Sequence, residues 1–557
     1  MTQRRRFLVS PLDLGVFLTP FIVSGSLLAS GVARYRTTDD IQMILIASGV
    51  SSVAPSMDLV FTSELLAVLI SWLYSLTTAV SWWPLLQLAS LAAAIGTINV
   101  LILRREFSLR IRILTLLSIN FLAIPLLVAL NFTQPAILCA AVGLLLWLRG
   151  VRGRTRLAGL GLSAVGVLWR PEGALLGFVI TIALLFVQVT VDRDGNRYRQ
   201  VRRVIVGGLL ASVVLLLIGL LPRWVRRSLD SSWSAYLDFN AVRYNFDGAG
   251  NFAYSEGALE VAARAGLSPN DVLLLVQGWF FQDREVYSKS IMEVVAAERS
   301  SIPAWNSIPR LLFEFMAQLL TYPIFLFLLS ALIVLAPIVL MARRRCAVMM
   351  QLGVVASVFF GVYVYGRFPE RVAFPAILAS VSVLLVITQL GDRKPDRLMR
   401  AANVLSVVAA AVTLASALVF VYRWSDLPKP KTPLFAELTS TQEDDAAVKL
   451  LTTTYFAPQL IALPAGFNPK SDVDLENAII LDWWQRSPGF ERRLADLGLN
   501  PDLIASVIDG DARFVSSNPN FADWICIFVE QNVALDEVSG VANECGTTWV
   551  ALRNGVD

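Results

Sequence analysis

Predominantly apolar runs of about twenty residues recur along this chain, among them Leu14–Ala33, Val204–Leu221 and Ala373–Leu390. At 1.5 Å per helical residue, each is long enough to cross a hydrocarbon core of about 30 Å. A backbone inside lipid must satisfy its own polar groups, so such runs fold as helices. The 557 residues are 56% hydrophobic and only 16% charged, against roughly 25% charged in a soluble domain. The chain reads as a mainly α, polytopic membrane protein. Its first run is longer than the apolar core of a cleaved signal and reads as a retained span.

Two missing features narrow the chemistry. The chain has no histidine, which removes serine–histidine triads, histidine metal sites and imidazole acid–base relays. No G-x-x-x-x-G-K-[ST] occurs, so there is no P-loop. Any reaction has to run on carboxylates, guanidiniums, amides and hydroxyls acting on an already activated substrate.

Arginine sets the orientation. Basic residues gather at Arg4–Arg6, Arg104–Arg112, Arg149–Arg156, Arg193–Arg203, Arg343–Arg345 and Arg393–Arg400, whereas the short loops between carry only Arg34, Arg36, Arg170, Arg367 and Arg371. Short cytoplasmic loops collect Lys and Arg, so the clusters face the cytoplasm and the N-terminus lies inside. About eleven spans follow, near 14–33, 84–103, 111–130, 135–148, 157–169, 173–191, 204–222, 324–341, 347–365, 373–390 and 401–423. The parity holds if Leu59–Leu76 and Ile308–Leu320, which carry Glu64 and Glu314, lie at the outer interface as amphipathic helices.

Residues 1–423 are then the transmembrane domain, with outer loops at 34–83 and 223–323, and 424–557 are an extracytoplasmic C-terminal domain. In that tail Leu460–Pro464, Trp524–Val529 and Thr548–Leu552 read as strands and Phe490–Leu497 as a helix, giving a small α/β domain. Cys526 and Cys545 can pair in an oxidising exterior, and Cys139 and Cys346 are expected unpaired.

One span, an outer loop opening with paired acids and an interfacial helix, short hairpins of spans and a soluble outer tail form a layout that resembles the GT-C class of polyprenyl-phosphate-dependent glycosyltransferases. The segments "TDDIQMILIASG", "DLVFTSELLAVLISWLYSL", "LWRPEG", "GWFFQDREVYS" and "RFPERVAFP" are similar to segments of bacterial membrane proteins regarded as GT-C-like. The resemblance covers residues 10–425, with a weaker echo in the tail. It implies inverting transfer of a hexosyl or pentosyl group from a polyprenyl-phosphate donor to an envelope glycan, lipid or protein acceptor. The reaction would run at the outer face of the bacterial cytoplasmic membrane, with no nucleic-acid partner. In that class an acid of the first outer loop is the general base or orients the acceptor, and Asp39 and Asp40 hold that place. The second outer loop reads Asn131-Phe132-Thr133-Gln134, without the acid that many relatives carry there, sometimes for a metal. No cofactor is expected and no metal ligand is assigned.

Each candidate residue has a plainer alternative. Asp39 and Asp40 suit the first turn of a helix over 41–50 as caps, although one Asp is enough for that. Either acid can instead take the acceptor's proton. Arg34 and Arg36 are interfacial anchors or clamps for the donor phosphate, which a guanidinium meets with two donors. In "WRPEG", Arg170 and Glu172 are a structural pair or line a cavity with the phosphate, and Arg367 and Arg371 repeat the theme beside Glu370. The outer loop offers Tyr236, Asp238, Asn240, Arg243, Trp279 and Asp283 as a sugar- or acceptor-binding set, or as an ordinary folded loop with an aromatic core.

Rival functions stay open at this point. An O-antigen ligase or polymerase has similar span counts and a long outer loop. A transporter or flippase of envelope glycolipids needs ionisable groups at mid-depth, and the spans carry almost none. A non-catalytic surface scaffold with a degenerate site is the fourth reading.

Overall fold

The computed structural model describes residues 10–150, 153–191, 195–243, 256–275, 280, 282–299, 308–365, 368–389, 396–425, 447–518, 520–532 and 550–552. Helices dominate it. In chain order they are α1 (Pro11–Ala29), α2 (Thr38–Ser48), α3 (Glu64–Leu76), α4 (Trp82–Leu103), α5 (Leu109–Val128), α6 (Thr133–Arg149), α7 (Gly153–Trp169), α8 (Pro171–Val191) and α9 (Gly195–Leu229). Five shorter helices follow as α10 (Ser231–Arg243), α11 (Glu256–Arg264), α12 (Pro269–Leu273), α13 (Lys289–Arg299) and α14 (Ile308–Leu319). Then come α15 (Ile324–Met341), α16 (Arg345–Tyr365), α17 (Glu370–Ile387) and α18 (Asp396–Ser425). Among the described residues, 9 helices are long and apolar enough to cross a membrane. The chain is a multi-pass, mainly α membrane protein. α6 and α7, read from the sequence as short spans, have 17 residues each and fall below that length.

The core of the bundle is α6 and α17. Every α6 side chain from Thr133 to Leu145 is buried, and α17 is buried from Ala373 to Ile387. α6 packs on α4, α7, α8 and α17, while α18 closes against α5 and α15. Small residues allow the closest approach. A Cβ placed on Gly143 would lie 2.5 Å from the Ser163 nitrogen, and one on Gly159 would lie 2.5 Å from that of Trp147. Helix association in lipid relies on this kind of close packing rather than on hydrophobic driving force. The last carbonyls of α17 are met by cations: Arg149 donates to Val386 O at 2.8 Å, and Arg105 donates to Thr388 O.

The two segments read as interfacial are helical over shorter lengths. α3 begins at Glu64 because the Ser63 hydroxyl caps it, accepting from Leu66 N at 3.3 Å. Leu65, Val68, Leu69 and Trp72 on α3, and Leu312, Phe313 and Met316 on α14, leave large apolar surfaces uncovered.

The tail holds a four-stranded, all-parallel sheet in the order β4 (Ala478–Ile480), β3 (Val448–Leu451), β5 (Ala512–Ser516), β6 (Val550–Leu552). Two sequence expectations fail here. Leu460 is in a helix (Thr453–Ala462), and Trp524–Val529 lies within another (Phe521–Asn532). Trp524, Ile525, Phe528 and Val529 are buried at three- and four-residue spacing, a helical period that a short apolar run conceals. Cys526 is disulfide-bonded; Cys545 lies outside the described residues. Cys139 and Cys346 are free.

Candidate functional site

After α1 the chain makes a two-residue strand, β1 (Arg34–Tyr35), which pairs in parallel with β2 (Ala129–Leu130) just before α6. Arg36 N continues the ladder to Leu130 O at 2.9 Å. Only Thr37 then separates the strand ladder from α2, so the first turn of α2 is held close to the start of α6.

The two acids of that turn have different surroundings. Asp40 is wholly buried. Its Oδ1 accepts from Trp83 Nε1 at 3.0 Å, Phe132 N at 3.1 Å and Gln87 Nε2 at 3.4 Å, and its Oδ2 accepts from Asn131 Nδ2 at 3.0 Å. It ties α2 to α4 and to the start of α6. Burial pushes its pKa up to about 8, against the downward pull of the Trp83 and Phe132 donors. Asp39 turns the other way and is partly exposed. Its Oδ2 lies 3.0 Å from Arg371 Nη1, at the start of α17.

Beside that pair sits a second one, Arg36 with Glu370. The Arg36 guanidinium lies over Phe374 at 5.7 Å and Trp424 at 5.8 Å. Burial lowers its pKa to about 10, and the neighbouring Arg371 adds to the effect. Two guanidiniums therefore repel each other across a gap balanced by two carboxylates.

A small apolar groove between α5, α15, α17 and α18, lined by Phe121, Pro125, Leu326, Phe327, Phe374 and Phe420 among others, shares Phe374 with this cluster. Phe327 stacks on Phe374 at 4.4 Å and Phe420 stacks on Trp424 at 5.8 Å. Aromatic rings thus lead from the groove to Arg36. Arg423 lies 4.4 Å above the ring of Tyr322, another lining residue.

The other candidates sit elsewhere. Arg34 is buried in β1, and burial lowers its pKa. Arg170 lies over Phe132 at 5.3 Å, donates to Thr133 Oγ1 at 3.1 Å and faces Glu172 at 3.7 Å. Glu172 also faces Arg223 at 3.4 Å. In the long outer loop, Tyr236 donates its hydroxyl proton to Trp483 O at 3.1 Å, and Asn240 Oδ1 accepts from Arg243 Nη2 at 2.9 Å. Asp238 pairs with Arg227 and lies 3.7 Å from Lys289, while Asp283 Oδ1 accepts from Glu285 N and Val286 N, both at 2.9 Å. These six contacts tie the loop to itself or to the tail, and none of the four residues lines the groove. Arg367 and Trp279 lie outside the described residues.

Sequence reasoning passed over one cluster. Asp58, in the first outer loop, is buried and pairs with Arg226 and, at 2.8 Å, with Arg492 of the tail. Arg226 also binds Glu64 at 3.0 Å and lies 4.0 Å above Trp233. The signal was an acid set within the apolar run "MDLVF". Arg423 was equally available, as a cation next to Trp424 at the end of a span. Among the described residues, no group of three or more Cys, Asp or Glu could hold a metal ion. Comparison of the chain with protein-family models, with curated proteins and with solved structures gives no match.

Proposed function

We propose that this protein is an inverting glycosyltransferase of the GT-C type, transferring a sugar from a polyprenyl-phosphate donor to an envelope glycan, lipid or protein acceptor. In this reading eleven helices span the membrane, and the N-terminus is cytoplasmic. The C-terminal domain lies outside. The observation that carries the reading is that Phe374 both lines a small apolar groove and lies against the Arg36 guanidinium, next to which Arg371 pairs with the partly exposed Asp39. A long isoprenoid with a phosphate head has that same order of chemistry, grease first and anion second.

The residues divide the work as follows. Isoprene units lie along the groove. Arg36 and Arg371 take the donor phosphate, competing with Glu370 and Asp39 for the same charge, and the arriving anion releases Asp39. Asp39 accepts the acceptor hydroxyl's proton as that oxygen attacks the anomeric carbon from the face opposite the phosphate. The sugar–oxygen bond breaks, its electron pair stays on the phosphate, and the guanidiniums stabilise the charge that builds there. Asp40 orients the turn and does not touch substrate.

The test is turnover by purified protein in lipid nanodiscs with a panel of radiolabelled polyprenyl-phosphate sugars and mixed envelope acceptors. Transfer from one of them is expected. Failure to bind any polyprenyl phosphate would refute the reading.

A further inference from the structure

The tail reaches into the candidate site through its backbone. On the side of β1 away from β2, Arg34 forms an antiparallel bridge with Pro464. Ala465 N donates to Ala33 O at 2.7 Å, and Tyr35 donates its hydroxyl proton to Ala465 O at 3.4 Å. Ala33, Tyr35 and Ala465 are all fully buried. The tail helices Thr453–Ala462 and Pro469–Asp472, which flank this loop, both pack on α2.

We propose that the 463–467 loop of the C-terminal domain is a positioning clamp, acting as a third strand that sets the placement of Arg36 and Asp39. α2 has no side-chain cap of its own at Thr37; instead the Thr37 hydroxyl accepts from Asn131 Nδ2 at 3.1 Å. With about 3.5 Å of reach per residue, Arg36 and Thr37 cannot absorb a shift of the strand, so Asp39 moves with it. β2 and Asn131 hold one edge of β1 and the tail holds the other. A two-stranded, two-residue ribbon is too small to be stable by itself. The site is therefore built from both parts of the chain, and Pro464, Ala465 and Tyr35 are positioning residues that touch no substrate.

The clamp rests on the lipid-phosphate reading, and full-length protein in nanodiscs separates the two. Ala465→Pro deletes the donor to Ala33 O, Tyr35→Phe deletes the hydroxyl alone, and Ala465→Gly keeps the N–H as a control. The readouts are hydrogen exchange over residues 33–40 and affinity for a long-chain polyprenyl phosphate. We expect faster exchange there in the first two variants, with affinity down about tenfold for Ala465→Pro and about threefold for Tyr35→Phe, the scale of one buried hydrogen bond. Ala465→Gly should match wild type in both. If Ala465→Pro fails to fold, Tyr35→Phe carries the test. Wild-type binding with unchanged affinity in the variants overturns the clamp and leaves the function standing. No binding by wild type overturns both.

Discussion

Two groups of arginines in this protein are built differently. Under the tail, Arg226 joins Asp58, Glu64 and Trp233, Arg492 closes the other side of Asp58, and Arg223 donates to Val60 O at 2.6 Å. Burial pushes the Glu64 pKa up and Arg226 pulls it down. Every group there meets protein. In the other group, Arg36 and Arg371 each take one carboxylate and stand close enough to repel, and the Arg36 guanidinium lies against Phe374, a lining residue of the apolar groove. A network closed on itself supports the fold. In the proposed function, the second group is the one that takes an anion.

Substitutions can break that contrast. The largest effect is expected from Asp39→Asn, which removes the proton acceptor but no buried contact. Turnover should fall about 10²–10⁴-fold with an unchanged unfolding midpoint, and full activity would return Asp39 to a simple first-turn role. Arg226→Ala should do the reverse, costing about 3 kcal/mol of stability because it strips a partner from buried Asp58 and Glu64. Its affinity for polyprenyl phosphate should match that of wild type. Equal loss of affinity in Arg226→Ala and Arg371→Ala would erase the distinction between the two groups.

Asp40 belongs with the closed kind. Asp40→Asn sets an N–H₂ against Asn131 Nδ2, and Asn131 cannot simply turn over, because its Oδ1 accepts from Thr133 N at 3.0 Å. The loss should be about 1–3 kcal/mol, read as a lower melting temperature. The wild type should also respond to pH. Asp40 rises from 3.8 to about 8 on folding, so the folded state holds the proton more tightly. That contribution is complete below the unfolded pKa and is lost as pH rises toward 8. Between about pH 5 and pH 9 the midpoint should fall more in wild type than in Asp40→Asn. Parallel curves would contradict the shift.

Smaller effects come from the α6–α7 contact. Gly143→Ala forces a methyl against Ser163 and Gly159 and should cost about 1–3 kcal/mol. Gly161→Ala meets nothing within 4 Å and should be neutral or stabilising by up to about 1 kcal/mol. Detergent melts of both variants measure the difference.

Much of this was legible in the sequence, for physical reasons. Helix positions followed from run length, and all eleven segments expected as spans overlap helices, nine of them long and apolar enough to cross a membrane. The acid pair stood out because "TTDD" precedes an apolar run. The division of labour between Asp39 and Asp40 was not legible, since it depends on Trp83, Asn131 and Arg371, residues far along the chain. The clamp at Pro464 was hidden for the same reason, and because backbone hydrogen bonds leave no mark on residue type. The partners of Asp238 and Asp283, offered by the sequence as sugar ligands or as part of a folded loop, were not legible either: they are Arg227 and the residues of their own loop.

The shortness of α6 and α7 has a consequence for biosynthesis. At 17 residues, each is roughly 25 Å long, and α6 opens with Thr133 and Gln134. Alone in lipid, α6 is a poor stop for a translocating chain; against α7 its glycine face is covered. In the proposed eleven-span topology its residence in the bilayer thus depends on residues synthesised after it, and α7 begins only at Gly153. In a released chain truncated after Gly150, Cys139 within α6 should react with a water-borne maleimide. In one truncated after Val191 it should be protected. The central helix of the finished protein is in this sense among the last of its neighbourhood to be committed to the membrane.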